Sequence, residues 1–215
     1  ISDAVTAIYI YATSYNAGAT PTNHTISNNV ISGSQTGIKI RSNADENTIT
    51  GNTIKDGLEG IGCSGSDNNL ISGNTITNNK PSNFGLSGTS QAMAIGTCDN
   101  NTISNNQITN NNQGIELNSS NGNTLSSNTV SNNEGNGIRV LGGTGNILTS
   151  NTASNNSGYG FLVESNSAPD TFTGNTASGN GSGDFEGIST GPPSGTVTTS
   201  GVILNTSDGG DCSTV

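Results

Sequence analysis

Few side chains in this 215-residue sequence could do chemistry: there are 15 Asp and Glu, 5 Lys and Arg, a single His and 3 Cys. Hydrolysis of a glycosidic bond needs two carboxyl groups about 5–10 Å apart, one of which stays protonated. The acids that could serve are Asp56, Glu59, Glu116, Glu164 and Glu186. Apart from Asp56 and Glu59, these residues are far apart in sequence, so the fold decides which of them come together.

A repeated phrase indicates how the chain places these residues. It is clearest as N-T-I-T-G-N-T-I at 47–54 and N-T-I-S-N-N-Q-I at 101–108. Copies begin at His24, Asn47, Asn69, Asn101, Asn123, Asn146 and Asp170, at intervals of 23, 22, 32, 22, 23 and 24 residues. A period of about 22 residues is typical of a solenoid of stacked strands, with an insertion of about ten residues in one copy.

Apolar residues alternate with polar ones in three segments of each copy, as in half-buried strands. Two columns are Ile26, Ile49, Ile71, Ile103, Leu125, Leu148 and Phe172, and Ile31, Ile54, Ile76, Ile108, Val130, Ala153 and Ala177. A third column begins at Ile38 and Ile40. Because parallel connections are almost always right-handed, we predict an all-β fold. It is a single right-handed parallel β-helix over residues 1–190, with three short strands per rung and about 8–9 rungs.

An asparagine lies five residues after the start of each copy. These residues are Asn29, Asn52, Asn74, Asn106, Asn128, Asn151 and Asn175. Stacked about 4.8 Å apart, their amides can donate to one neighbouring rung and accept from the other, and Asn tolerates the backbone angles of a bend. We predict a structural ladder there and a second one at Asn78, Asn110, Asn132 and Asn155.

The outward positions of the third strand are the least uniform. They begin with Tyr9 and Tyr11, and Lys39 and Arg41 follow one rung later. Aromatic rings beside cations favour a sugar-binding surface. The insertion at 79–92 contains Phe84 and is expected to overhang this face near Gly62 and Ala94. The candidate ligand-binding residues are Tyr9, Tyr11, Lys39, Arg41, Phe84, Glu116, Arg139, Glu164 and Glu186; the alternative is solvated charges and a tolerated insertion.

The first strand suggests a different function. Its outward positions are mostly Thr and Ser, as in Thr48-Ile49-Thr50, although Leu70 and Ile147 interrupt the pattern. Regular files of Thr on a flat coil resemble those of ice-binding proteins. Because Thr and Ser are also ordinary strand residues, ice binding is kept as an alternative.

The two ends differ from the repeat. Residues 7–11 match residues 37–41, so the sequence begins within a rung. An open strand edge pairs readily with other chains, so we expect further rungs or another subunit at that end, with stacking into filaments as an alternative. Residues 191–215, which include Pro192 and Pro193, are predicted to form a C-terminal cap or irregular tail.

Charge and cysteine content narrow the partners. The net charge of −10 argues against nucleic acid as a partner, and no segment reaches the roughly 20 apolar residues of a membrane span. The cysteine spacing predicts no zinc site, and the three-residue lateral offset argues against a Cys63–Cys98 disulfide. We predict no cofactor; Ca²⁺ at the acidic turn of Asp45 and Glu46 is left open.

The phrase N-x-I-x-x-N-x-I followed by G-I, over about residues 8–188, resembles the parallel β-helix repeat. That repeat is shared by polysaccharide lyases, mannuronan epimerases, phage tailspikes, archaeal surface proteins and a periplasmic protein of copper-site assembly. The resemblance implies a secreted or cell-surface location and a polysaccharide or cell-surface glycan as ligand.

The resemblance does not extend to the catalytic residues of the epimerases. Their Asp-Pro-His run is absent, and the only His, His24, starts a copy where the others have Asn or Asp. A copper site would need several His or Met ligands. We therefore expect a module for structural presentation and polysaccharide recognition. The alternative is a catalytic fragment of a polysaccharide lyase, hydrolase or epimerase.

Overall fold

The computed structural model describes residues 1–11, 22–164 and 170–187, and its strands form three parallel sheets. The first sheet contains β2 (Thr25–Ser27), β5 (Thr48–Thr50), β8 (Leu70–Ser72), β11 (Thr102–Ser104), β14 (Thr124–Ser126), β17 (Ile147–Thr149) and β20 (Thr171–Thr173). The second contains β3 (Val30–Ser32), β6 (Thr53–Lys55), β9 (Thr75–Thr77), β12 (Gln107–Thr109), β15 (Thr129–Ser131), β18 (Thr152–Ser154) and β21 (Thr176–Ser178). The third contains β1 (Thr6–Tyr11), β4 (Thr36–Arg41), β7 (Glu59–Ser64), β10 (Gln91–Gly96), β13 (Gln113–Asn118), β16 (Ile138–Leu141), β19 (Tyr159–Val163) and β22 (Gly183–Gly187).

Successive rungs stack with their strands in register. Ile49 lies opposite Ile71, Ile54 opposite Ile76, and Met93 opposite Ile61. The predicted all-β parallel coil with three strands per rung is confirmed. The described residues form seven complete rungs after β1, against an expectation of about 8–9. Residues 188–190 and the predicted tail at 191–215 lie outside the described residues.

The three apolar columns line the interior of the coil. Their side chains are buried at nearly every rung, and the column that shrinks to Ala153 and Ala177 faces larger residues near the C-terminal end. There, Phe185 packs edge-on against Phe172 with ring centroids 5.8 Å apart. Bulk is redistributed between the columns, because a close-packed interior cannot tolerate an unfilled volume.

An asparagine ladder occupies the corner between the first and second sheets. From Asn29 to Asn175, each Nδ2 donates to Oδ1 of the asparagine in the next rung at 2.9–3.0 Å. The Asn106 Nδ2 also donates to the Ile71 carbonyl at 3.0 Å. The left-handed backbone belongs to the preceding residue, such as Gly51 with φ of 66° or Asn105 with φ of 55°, and not to the ladder residue as we expected.

The second ladder lies one residue later than predicted. Asn78, Asn110, Asn132 and Asn155 take left-handed angles with φ of 54–59°. The buried amides that form the ladder belong to Asn79, Asn111, Asn133, Asn156 and Asn180. The prediction was wrong because the left-handed residue turns the chain and directs the next side chain inward. Asp184 Oδ1 accepts the Asn180 N–H and Nδ2 at 3.2 and 2.9 Å, which terminates this ladder.

A third ladder at the corner between the third and first sheets was not predicted. It joins Asn47, Asn69, Asn101, Asn123, Asn146 and Asp170, the residues that begin every copy after the first. The signal was present in the sequence, because these residues recur with the same period as the first ladder. Asp170 replaces asparagine at the last position described.

The same corner contains a disulfide between Cys63 and Cys98, so the argument against this bridge was wrong. Cys98 lies three residues after Ile95, the residue opposite Cys63, and an extended chain would place it too far away for a disulfide. The chain instead turns here, with Gly65 at φ of 61°. The turn brings the two Cα atoms to 6.4 Å, within the range that a disulfide spans. None of the helical segments described is long and apolar enough to cross a membrane.

Candidate functional site

The outward residues of the third sheet stand in two straight files. One contains Tyr9, Lys39, Gly62, Ala94, Glu116, Arg139, Leu162 and Glu186, and the other contains Tyr11, Arg41, Ser64, Gly96, Asn118 and Leu141. Glu164 directly follows β19. We call this surface the third-sheet face. It contains eight of the nine candidate residues, and Phe84 lies in the insertion.

Two tyrosines form the N-terminal end of the third-sheet face. The rings of Tyr9 and Tyr11 are stacked with centroids 4.8 Å apart and planes inclined by 19°. Their exposed fractions are 46% and 48%. Lys39 and Arg41 lie directly opposite them on β4. The strand therefore presents two half-exposed aromatic side chains to solvent, beside two cationic side chains.

The Lys39 ammonium is held in place by Glu59. Its Nζ lies 3.3 Å from Glu59 Oε1, and the Thr36 hydroxyl donates to Glu59 Oε2 at 3.1 Å. A Cβ atom at Gly62 would collide with the Lys39 Nζ, so Gly62 provides the space for this ion pair. Gly62 is therefore covered by these side chains and buried.

A second ion network occupies the other end of the third-sheet face. Arg139 donates from Nε to Glu164 Oε1 at 2.8 Å and from Nη1 to Glu116 Oε2 at 3.0 Å. Burial favours the neutral guanidinium, but its hydrogen bonds and charge interactions with both glutamates outweigh burial and raise the pKa of Arg139. Gln91 also donates to Glu116 at 3.5 Å. Glu186 stands opposite Leu162, and Glu164 contacts Arg139.

Between the two networks, the face is lined by small residues. Ser64, Ala94 and Gly96 are partly exposed, and they separate the aromatic end from Glu116 and Arg139. The third-sheet face is thus a shallow strip with aromatic and cationic groups at one end and an acid–guanidinium network at the other.

The insertion is attached to the corner between the second and third sheets. It contains a 3-10 helix at Pro81–Phe84, and the Asn83 Nδ2 donates to the Gly57 carbonyl at 2.9 Å. Lys80 Nζ lies 2.8 Å from Glu134 Oε1, and hydrogen bonds from Lys80 and Asn112 lower the pKa of Glu134. The contacts with Gly57 and Glu134 attach the insertion at this corner, and the atoms nearest to a Cβ at Gly62 belong to Lys39 and Glu59, not to the insertion.

Phe84 is half-buried within the 3-10 helix of this insertion. Among the described residues, its ring does not pair with another aromatic ring. Leu86, two residues later, is 53% exposed. Eight candidates therefore lie along one face, with Tyr9, Tyr11, Lys39 and Arg41 at one end and Glu116, Arg139, Glu164 and Glu186 at the other, and Phe84 lies in the 3-10 helix outside both files. Thr36 and Gln91, which donate hydrogen bonds to Glu59 and Glu116, were not among the predicted residues. Each is the first residue of a strand of the third sheet, β4 or β10, and this position in the repeat could have identified them.

His24 and Asp45 have structural contacts. The exposed His24 donates its backbone N–H to Asn47 Oδ1 at 2.9 Å, as a residue within a turn. Asp45 Oδ1 accepts the Asp67 N–H at 2.7 Å. Within the described ranges, no group of three or more His, Cys, Asp or Glu side chains has a metal-holding arrangement.

The outer faces of the first and second sheets differ in chemistry from the third-sheet face. Their outward strand positions carry Thr or Ser at most rungs, and Lys55 is the one charged residue among them. Leu70 and Ile147 interrupt the first sheet, with exposed fractions of 37% and 44%. Ice binding by these hydroxyl files stays a prediction.

Comparisons with known proteins agree with this architecture. The family model described as right handed beta helix region matches residues 6–94 and 87–208. A search of curated proteins found no match.

Solved structures of the periplasmic alginate epimerase AlgG are similar to this chain. For one, the TM-score is 0.60 with 23% identity over 69% of this chain and 34% of that chain. A singly substituted variant gives 0.61 and 24% over 69% and 34%, and a doubly substituted one gives 0.60 and 24% over 70% and 36%. The chain therefore spans about a third of the length of these structures, and the likeness shows a shared fold.

Proposed function

Because this chain belongs to the right-handed β-helix family, we propose that it is a rigid module whose third-sheet face binds a polysaccharide outside the cytoplasm. The observation that carries the proposal is the exposed, stacked pair of Tyr9 and Tyr11. Tyrosine rings present apolar faces that pack on sugar rings and hydroxyls that bind sugar hydroxyls. The outward positions of the first and second sheets offer no comparable aromatic surface.

The coil supports such a surface at low entropic cost. Every strand of the third sheet is fixed by hydrogen bonds to its neighbours, and ladders hold the corners on both sides. A ligand that binds a preformed surface does not have to order the protein. The likeness to an alginate epimerase supports a polysaccharide as the ligand class.

The disulfide supports the proposed compartment. Cys63 and Cys98 are bonded to each other, and structural disulfides persist mainly in secreted, periplasmic and cell-surface proteins. A disulfide does not distinguish between these locations, so secretion and surface attachment are both compatible with the proposal.

The test is electrophoresis through gels that contain a panel of neutral and anionic polysaccharides, followed by calorimetry with oligosaccharides of the polymer that retards the protein. Replacing both Tyr9 and Tyr11 by Ala should weaken binding about tenfold or more, because exposed aromatic anchors dominate such contacts. Leu70→Ala is the control, since it removes an exposed apolar side chain from the first sheet.

Two outcomes would reject the proposal. One is that no polysaccharide in the panel retards the protein. The other is that Leu70→Ala weakens binding as much as the double tyrosine variant. New reducing ends or unsaturated sugars in the same incubations would instead support the catalytic alternative.

The expected partner at the N-terminal edge stays a separate prediction. β1 pairs with β4 and is the first strand of the third sheet. Long fibres in electron micrographs of the purified chain would support end-to-end stacking, and a monodisperse particle of one chain would argue against it.

A further inference from the structure

Arg41 differs from the other basic side chains in having no carboxylate partner among the described residues. The other four basic residues all have one: Lys39 pairs with Glu59, Lys55 with Asp56, Lys80 with Glu134, and Arg139 with Glu116 and Glu164. Arg41 is exposed, and residues 12–21, which follow β1, contain no Asp or Glu. In a chain of net charge −10, an arginine without an acidic partner is unexpected.

We infer that Arg41 and the stacked tyrosines form a subsite for an anionic sugar, one that carries a carboxylate or a sulfate group. The inference rests on the proposed function and adds the charge of the ligand. Arg41 stands directly between Tyr11 on β1 and Ser64 on β7. An aromatic face, a guanidinium and a hydroxyl are therefore adjacent on one surface.

The chemistry of these groups selects an anionic ligand. The planar guanidinium presents N–H donors in a fork that matches the two oxygens of a carboxylate or sulfate. The neighbouring Lys39 is already compensated by Glu59, so of the two basic side chains on β4 only Arg41 has no carboxylate partner among the described residues. A sugar ring on the tyrosines would bring its charged substituent within reach of the guanidinium.

The other basic residues do not offer an equivalent site. Arg139 contacts two carboxylates, and Lys80 is tied to Glu134 at the insertion. Lys55 is exposed on the second sheet, 3.8 Å from Asp56, with no aromatic residue at the strand positions opposite it. Lys55 is therefore the matched control for Arg41, because both are exposed cations on outward strand positions.

The experiment compares polymers that share a backbone and differ in charge. Carboxymethyl cellulose is paired with hydroxyethyl cellulose, and dextran sulfate with dextran, so the two arms separate carboxylate from sulfate recognition. We expect the wild-type chain to bind the anionic member of one pair about tenfold more tightly than the neutral member.

Variants assign this preference to one residue. Arg41→Gln should abolish the preference: it should weaken binding of the anionic polymer about tenfold more than binding of the neutral polymer, because the tyrosine pair that both polymers would contact is retained. Arg41→Lys should keep part of it, since the charge remains and the fork is lost. Lys55→Gln, which makes the same change in net charge, should leave the preference intact. Circular dichroism and the melting temperature verify that each variant is folded.

The outcomes separate this inference from the proposed function. If the neutral and anionic polymers bind equally tightly, the inference is overturned and polysaccharide binding stands. If Lys55→Gln removes the preference as fully as Arg41→Gln, the preference comes from overall charge and the inference is again overturned. If no polymer binds, both proposals fail.

Discussion

At its corners the coil repeats nearly the same side chain from rung to rung, whereas its third-sheet face changes at almost every rung. Asn52, Asn74 and Asn106 make the same bonds to their neighbours above and below. On the third-sheet face, Tyr9, Lys39 and Gly62 occupy successive positions of one file. At the corners each side chain bonds to the same type of residue in the next rung, whereas on the third-sheet face the type of partner differs from rung to rung.

This contrast separates stability from recognition. A corner asparagine is buried, and its amide satisfies the backbone of an adjacent rung, so its loss exposes polar groups to an apolar interior. A residue on the third-sheet face is partly solvated, and its ion pairs contribute little to folding. Removal of a buried ladder asparagine should therefore destabilise the coil, whereas substitutions at Tyr9, Tyr11 and Arg41 should alter binding by a folded protein.

The largest effect is expected for Asn106→Ala. The substitution removes the acceptor of the Asn74 N–H and the donor to the Ile71 carbonyl, both of which are buried. Leaving each group unpaired costs about 1–3 kcal/mol, so we expect the free energy of unfolding to fall by about 2–6 kcal/mol. Urea denaturation followed by circular dichroism measures the change.

The adjacent Asn105 is the control for this ladder prediction. It is exposed and left-handed, with φ of 55°. Asn105→Ala should cost only about 1 kcal/mol, the penalty of a left-handed alanine. Equal losses for the two variants would contradict the assignment of stability to the ladder.

A smaller effect is expected from the disulfide at the corner. Cys63 and Cys98 are 35 residues apart, and closing a loop of this size restricts the unfolded chain. Replacing both cysteines by Ala should lower the free energy of unfolding by about 3 kcal/mol. A reducing agent should destabilise the wild-type chain and leave the double variant unchanged. A wild-type denaturation midpoint that does not respond to the reducing agent would count against the bridge.

The smallest effect, and a gain, is expected for Asp170→Asn. Asp170 Oδ2 is buried without a hydrogen-bond partner, and burial raises the pKa of this carboxyl although the Asn146 backbone and side chain donate to it. The raised pKa means that the folded chain prefers the protonated form, so the contribution of Asp170 to stability is lost as the pH rises through its folded pKa. Asparagine should therefore stabilise the protein at pH 7 by about 1 kcal/mol.

The pH dependence tests the cause of this gain. As the pH falls below the ordinary aspartate pKa of about 4, the wild-type carboxyl is protonated in both states and the advantage of Asp170→Asn should shrink. Asp56→Asn, which removes the same charge from an exposed side chain, should change stability by less than about 0.5 kcal/mol at either pH. A gain that is equal at pH 3 and pH 7 would show that ionisation of Asp170 is not its cause.

The fold could be predicted because its main determinants repeat in the sequence. Ile49, Ile71 and Ile103 recur at the copy period and are all buried in register. A column of identical residues allows only one stacking, since a slip of one residue would expose every isoleucine. The fold follows from these positions and requires no knowledge of loops or ends.

Details at the corners could not be predicted with the same certainty. Asn78 and Asn79 are adjacent and identical, so the sequence alone does not show which of them turns the chain and which faces inward. The Cys63–Cys98 bridge was missed because the turn at Gly65 shortens a distance that residue counting overestimates. Both errors concern backbone direction, which residue type specifies weakly.

The third-sheet face could be located but not resolved into contacts. Its irregularity identified Lys39, Arg41 and Arg139, yet long side chains reach diagonally as well as straight across. Arg139 contacts Glu164, which lies outside its own file, and this contact has no sequence period. Arg41 has no acidic partner among the described residues. This cannot be predicted from sequence, because it depends on which carboxylates pair with the other four basic side chains.

The insertion at 79–92 leaves the spacing of the coil unchanged. Asn79 and Asn111, whose numbers differ by 32, are joined at 2.9 Å, and Asn52 and Asn74, separated by 22, are joined at 3.0 Å. The additional residues leave the coil after Asn79 and return in register at Gln91, opposite Gln113. Loops of different length and chemistry can therefore be exchanged at this corner, next to the third-sheet face. The strands of the coil would not have to be redesigned to accept them.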